Sequence, residues 1–132
     1  MKKILLLLLI AISFLNCENE EPEIDATIIG RWHLEGFEDN IMYEFTTDKR
    51  YTIYGTDGDF PPVDPETHPP TLAHDWEYDG DVVVIDLNFG NFSRLIPNFK
   101  CGNYVIDWLA EQGVSHGSTY YREGYDLAEC DE

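Results

Sequence analysis

The sequence predicts an all-β domain of eight antiparallel strands, closed as a barrel or packed as a sandwich, behind an N-terminal export signal. Three observations predict it. From residue 31 onward apolar side chains recur at every second position, the period of a half-buried strand rather than of a helix. Turn-forming residues cut the chain at short intervals, among them Glu38-Asp39-Asn40, Asp79-Gly80 and Cys101-Gly102-Asn103. No stretch beyond the signal carries a convincing helical pattern.

Taken in order, Trp32 and Leu34 alternate with Arg31, His33 and Glu35, and Ile41, Tyr43 and Phe45 alternate with Met42, Glu44 and Thr46. These are two strands of a hairpin. After a turn at Thr47-Asp48-Lys49, Arg50 to Tyr54 is rich in β-forming residues and makes a third strand. Residues 55 to 71 hold Gly55, Gly58, Pro61, Pro62, Pro65, Pro69 and Pro70, which exclude regular structure and predict a long, functional or mobile loop. Leu72 to Tyr78 and Val82 to Leu87 flank the Asp79-Gly80 hairpin signal. A turn at Asn88 to Asn91 leads into Phe92 to Phe99, which Pro97 marks as an edge or bulged strand. Tyr104 to Leu109 follows, with Tyr104, Ile106 and Trp108 on one face. Glu111 to Gly117 reads as a loop, and Ser118 to Glu123 is the last strand.

At the N-terminus, Met1-Lys2-Lys3 precedes an apolar run from Ile4 to Leu15 broken only by Ser13. A bilayer-spanning helix needs roughly 20 apolar residues, and the acidic stretch from Glu18 to Glu23 stops the run short. Residues 1–16 are therefore expected to be a signal peptide, 17–26 a short flexible tether and 27–132 one domain. Removing the signal leaves 132 − 16 = 116 residues, enough for a modest core. It also removes Lys2 and Lys3, so 26 acids face 8 − 2 = 6 basic residues, a charge of −20. That charge repels nucleic acid and anionic headgroups, so no nucleic-acid partner is expected. Disorder is excluded by a composition 43% hydrophobic and 14% aromatic.

The order of apolar run, Cys17 and acidic tail resembles the signal of a bacterial lipoprotein. The resemblance implies lipidation of Cys17 and a membrane partner held through the lipid. Acidic residues directly after that cysteine are similar to the surface-export signal of Bacteroidetes lipoproteins, which implies a cell-envelope, outer-membrane address, facing outward; a plain solvated spacer is the alternative. With Cys17 assigned to lipid, Cys101 and Cys130 remain to form a disulfide in an oxidising compartment, or two free thiols. Closing that loop is worth about 3.5 kcal/mol in the chain-entropy model.

Ile29-Gly30-Arg31-Trp32 at the first strand and Tyr121-Arg122 in the last resemble the lipocalin pattern. The resemblance implies an up-and-down eight-stranded barrel with the Trp32 indole at its closed end and the Arg122 guanidinium packed across it. Such a contact is worth roughly 0.5 to 2 kcal/mol. The domain also resembles the small lipocalin-like lipoproteins of Bacteroidetes. It departs from classical lipocalins in having no room for a helix after the last strand, and its short strands imply a shallow or filled interior.

Catalytic patterns fail on their own mechanics. Gly113-Val114-Ser115-His116-Gly117 matches a serine-hydrolase elbow, but that motif needs a parallel-sheet fold and an acid and then a histidine later in the chain. Here the only later histidine, His116, precedes Asp126. His33, His68, His74 and His116 lack zinc-ligand spacing. Asp57, Asp59, Asp64 and Glu66 offer hard oxygens for weak calcium binding without the full EF-hand series, and solvated acids are the better reading. No acid pair is singled out for glycoside hydrolysis. No cofactor, metal or catalytic residue is expected. Tyr43, Phe45, Trp76, Tyr78, Tyr104 and Trp108 fall on the faces turned inward, where they either fill the core or line a site for a small apolar or amphipathic ligand, with the 55–71 loop as lid. The alternative is a closed barrel that contacts a protein or glycan partner through that loop.

Overall fold

Strands of alternating polarity can bury one face and leave no exposed edge only by closing on themselves. In the computed structural model, which describes residues 24–67 and 72–131, they do so. The strands are β1 (Gly30–Leu34), β2 (Ile41–Phe45), β3 (Lys49–Tyr54), β4 (Ala73–Asp79), β5 (Val82–Asp86), β6 (Phe92–Lys100), β7 (Val105–Ala110) and β8 (Ser115–Arg122). Each pairs antiparallel with the next, and β8 returns to β1 with Trp32 opposite Arg122 and Leu34 opposite Tyr120. The result is a closed, up-and-down, eight-stranded antiparallel barrel, the architecture of a lipocalin-like fold. The signal segment, Cys17 and residues 68–71 of the long loop lie outside the described residues.

Three details differ from the sequence reading. β7 begins at Val105, because Cys101 and Asn103 take positive φ (51° and 71°) in the preceding turn and Tyr104 belongs to that turn. β8 begins at Ser115 rather than Ser118. Its register against β7 shifts between Asp107 and Leu109, and Gly117 takes φ 80° in the matching stretch of β8, so an apparent loop is an irregular strand. Pro97 sits on no sheet edge. It lies beyond Leu95, the last residue of β6 paired with β5, so its missing N–H costs no ladder bond on that side.

After β8 the chain makes a short 3-10 helix, Leu127–Glu129, whose first turn is capped by the Asp126 carboxylate accepting from the Ala128 N–H at 2.9 Å. Cys130 then joins Cys101 in a disulfide with the Cα atoms 5.5 Å apart. The bond fixes this terminal segment to the β6–β7 turn.

β3 is buried on both faces, with Tyr51, Thr52 and Ile53 all buried. Its two faces serve different cores. Trp32, Phe45, Trp76, Val83, Ile85, Leu95, Ile106, Trp108 and Tyr120 pack with Ile28 as the barrel core. Met42 and Ile53 point outward yet are 0% exposed. Arg31, on the same outer wall, brings its Nε to 3.1 Å from the Met42 sulfur and donates through Nη2 to the Phe60 and Pro61 carbonyls. The first half of the long loop thus lies along the outer wall as a second, smaller core, not across the barrel mouth as a lid.

Candidate functional site

The base is built by Gly30-Arg31-Trp32. Trp32 is fully buried, and its Nε1 donates to the Ile28 carbonyl at 2.7 Å. The Arg122 guanidinium carbon lies 4.4 Å from the Trp32 ring centroid. Its nitrogens donate to the Thr27, Asn103 and Ile29 carbonyls at 2.8, 3.2 and 3.3 Å. Gly30 is required here: its φ is +133°, and a Cβ on it would meet Arg122 Nη1 at 2.9 Å. Residues preceding β1 complete the plug, since Asn103 Nδ2 donates to the Ile24 carbonyl at 2.7 Å and Ile28 is fully buried.

Above this base the inward-facing side chains change character. Because barrel strands tilt, each step across the ladder from Trp32 to Tyr43 to Thr52 climbs toward the opposite end, the rim. Phe45, Trp76 and Tyr120 fill the level of Trp32. The next tier holds Tyr43, Arg50, Leu95 and Trp108. Nearer the rim the inward positions are Leu34, Ile41, Thr52, Tyr54 and His74 on β1 to β4 and Ser93, Ala110 and Ser118 on β6 to β8, so the small side chains gather on the β6–β8 side. The register thus places small side chains above an aromatic tier on the β6–β8 side of the interior, the region called the cup below.

Of the residues expected to line a ligand site, Tyr43 and Trp108 belong to that aromatic tier, the floor of the cup. Phe45 (1% exposed) and Trp76 (9%) lie below it as packed core; the Trp76 indole also donates to the Thr46 and Lys49 carbonyls, which ties it to the β2–β3 turn. Tyr78 and Tyr104 are corrections. Tyr78 has an inward register but sits at the foot of β4, where it is 49% exposed and meets Trp76 edge-on. Tyr104 lies in the turn below β7, stacked on Tyr125 with ring centroids 4.8 Å apart.

Sequence reasoning missed Arg50. Its partners Phe45 and His74 across the ladder place it on the inner face of β3. Its guanidinium lies 5.0 Å from the Tyr43 ring centroid, and its Nε is buried with no hydrogen-bond partner. Tyr43 stacks on Tyr120 at 5.0 Å, and Tyr120 meets Trp108 edge-on at 5.5 Å. The Trp108 Nε1 is likewise buried without an acceptor. Burial, and then the adjacent Tyr43, hold the Tyr120 phenol well above the ordinary tyrosine range, so it stays protonated. The only signal in sequence was the parity of Arg50 and Thr52, masked because Tyr51 and Ile53 look like the inner face.

Two grooves mark the outside. One of about 240 Å3 is lined by Asp75, Glu77, Val84, Asp86 and Phe92 with Trp76. The other, about 210 Å3, lies between the wall at Val105 and Thr119 and the terminal segment at Leu127 and Cys130. Both are smaller than the roughly 300 to 1,000 Å3 of small-molecule sites. Among the described residues no group of three or more His, Cys, Asp or Glu side chains is arranged to hold a metal ion. No family model, curated protein or solved structure matches the chain.

Proposed function

We propose that this chain is a lipid-anchored protein of the cell envelope, of the Bacteroidetes lipoprotein type, whose lipocalin-like barrel binds a small apolar or amphipathic molecule in its cup. The observation that supports it is the step from Leu95 and Trp108 below to Ser93, Ala110 and Ser118 above on the β6–β8 side of the inner wall. The reading is a binding role rather than a catalytic one. Cys17 carries the lipid in this proposal, and Cys17→Ala should release the protein into the soluble fraction.

The test is titration with an uncharged naphthylamine dye, whose emission rises and shifts to the blue in an apolar site. One saturable site is expected, and Ala110→Trp, which fills the cup, should abolish it with the near-ultraviolet dichroism of the fold retained. No dye binding, or binding unchanged by Ala110→Trp, contradicts the reading.

A second reading is an interaction module for a protein or glycan. It is favoured by the exposure of Pro61, Pro62 and residues 64–67 while Phe60 holds the loop to the wall. Deleting residues 61–67 should then abolish partner binding and leave dye binding intact.

A further inference from the structure

We infer that the floor of the cup is an anion site, in which Arg50 and Trp108 receive the carboxylate of a small organic monoacid. The inference rests on the ligand-binding reading and narrows it to a chemical class.

The census of cations singles out Arg50. The chain has 8 Lys and Arg, of which Lys2 and Lys3 lie outside the described residues, leaving 8 − 2 = 6. Arg31 pairs with Glu44 and Glu123, Lys49 with Asp75, Arg94 with Asp79 and Glu111, and Lys100 with Asp107. Arg122 donates to three carbonyls at the base. Arg50 has the Tyr43 ring and no acceptor for its Nε. In a chain with 26 acids, a guanidinium without a carboxylate is a matter of placement, not of supply.

That placement is systematic. Glu44, Asp75, Glu77, Asp79, Asp86 and Asp107 are all the carboxylates of the strands, and the register turns every one outward. The barrel is acidic outside and, at its floor, cationic inside. Arg50 is half-buried, but its Nε is withdrawn from water without a partner, a cost that disappears when an anion meets it.

Trp108 is the independent observation. It is 1% exposed and its indole N–H meets no acceptor. An indole N–H and a guanidinium donate only, whereas the Tyr120 hydroxyl is already hydrogen-bonded to Tyr43. Ring contacts of 5.0, 5.0 and 5.5 Å run from Arg50 through Tyr43 and Tyr120 to Trp108, so both donors belong to one connected aromatic cluster. What completes such a set is an acceptor, and one carrying negative charge answers both the unpaired cation and the open N–H. A single free cation inside a strongly acidic shell selects one negative charge. Monocarboxylates fit this, and polyanions such as nucleotides are repelled on approach.

The discriminating experiment is calorimetric titration of the intact barrel with 1-naphthoate and with 1-naphthalenemethanol, which share a ring and differ in head group. Naphthoate should bind about tenfold or more tightly, the effect of one charge-assisted hydrogen-bond set. Arg50→Met should erase that preference and bring the two affinities together. Should Arg50→Met fail to fold, Trp108→Phe removes the open N–H while keeping a ring and should reduce the preference about three- to tenfold. Equal affinities for the two probes in the native protein, or a preference that survives Arg50→Met, overturn the anion site and mean that water satisfies the donors. If the uncharged dye binds while naphthoate does not, the anion site fails and the ligand-binding reading stands. If no probe binds, both fail.

Discussion

Gly30 shows how a single residue holds the base together. A side chain there would meet Arg122 Nη1 at 2.9 Å on backbone at φ +133°, so the guanidinium and the strand compete for one space. Gly30→Ala should therefore destabilise by about 1 to 3 kcal/mol, read as a lower urea midpoint with an unchanged slope. The short Gly-Arg-Trp motif was legible because the close approach leaves no alternative residue. Arg50 was not legible. Its side chain sits on the polar parity of β3, and alternation reveals two faces without saying which one is inside. Only the burial of Met42 and Ile53 on the outer wall shows that the apolar face of β3 is the outer one.

Among the elements, the long loop departs furthest from expectation. Its proline content announced irregular backbone but not where that backbone goes. Phe60 settles against His33, with centroids 5.7 Å apart, and His33 in turn stacks on Tyr121 at 5.1 Å. Arg31 locks the arrangement through the Phe60 and Pro61 carbonyls while also pairing with Glu44 and Glu123. Phe60→Ala should uncover Met42 and Ile53 and cost about 2 kcal/mol, less than a fully buried ring because Phe60 is only partly buried. Binding in the cup should not change, since the loop packs on the far side of the wall. A loss of both would mean that the loop supports the interior. The strand order and most boundaries were legible from period and turn residues; Tyr104 and the start of β8 were not, because turn φ values and a bulge override alternation locally.

For the whole molecule, charge and the disulfide govern stability in different ways. Lys100 and then Thr119 hold the Asp107 carboxyl below its usual range, Arg94 does the same for Glu111, and backbone N–H groups, with Gly36 first, do so for Glu38. Each is depressed in the folded state, so its contribution is present above the unfolded value and lost as pH falls through the folded one. For the two glutamates that loss begins below about pH 4.5, and for Asp107 below about 3.8. Self-repulsion acts in the other direction: the formal charge of −18 at pH 7 shrinks toward the isoelectric point near 4.2. Stability should therefore hold or rise slightly from pH 7 to about 4.5 and fall below it, which urea midpoints at pH 7, 5 and 3 will show. A monotonic decline from pH 7 would mean that repulsion is negligible. Reducing Cys101–Cys130 should lower stability by about 3.5 kcal/mol, read from the same denaturation curves with and without reductant.

The cup itself is best tested by nuclear magnetic resonance, following the Trp108 indole N–H and the Thr52, Ser93 and Ser118 amides while 1-naphthoate is added. Those four signals should move together and saturate at one equivalent, with the Trp32 indole, already bonded to the Ile28 carbonyl, barely affected. Shifts confined to residues 55–67 or to the outer wall, with the Trp108 indole unmoved, would contradict an interior site.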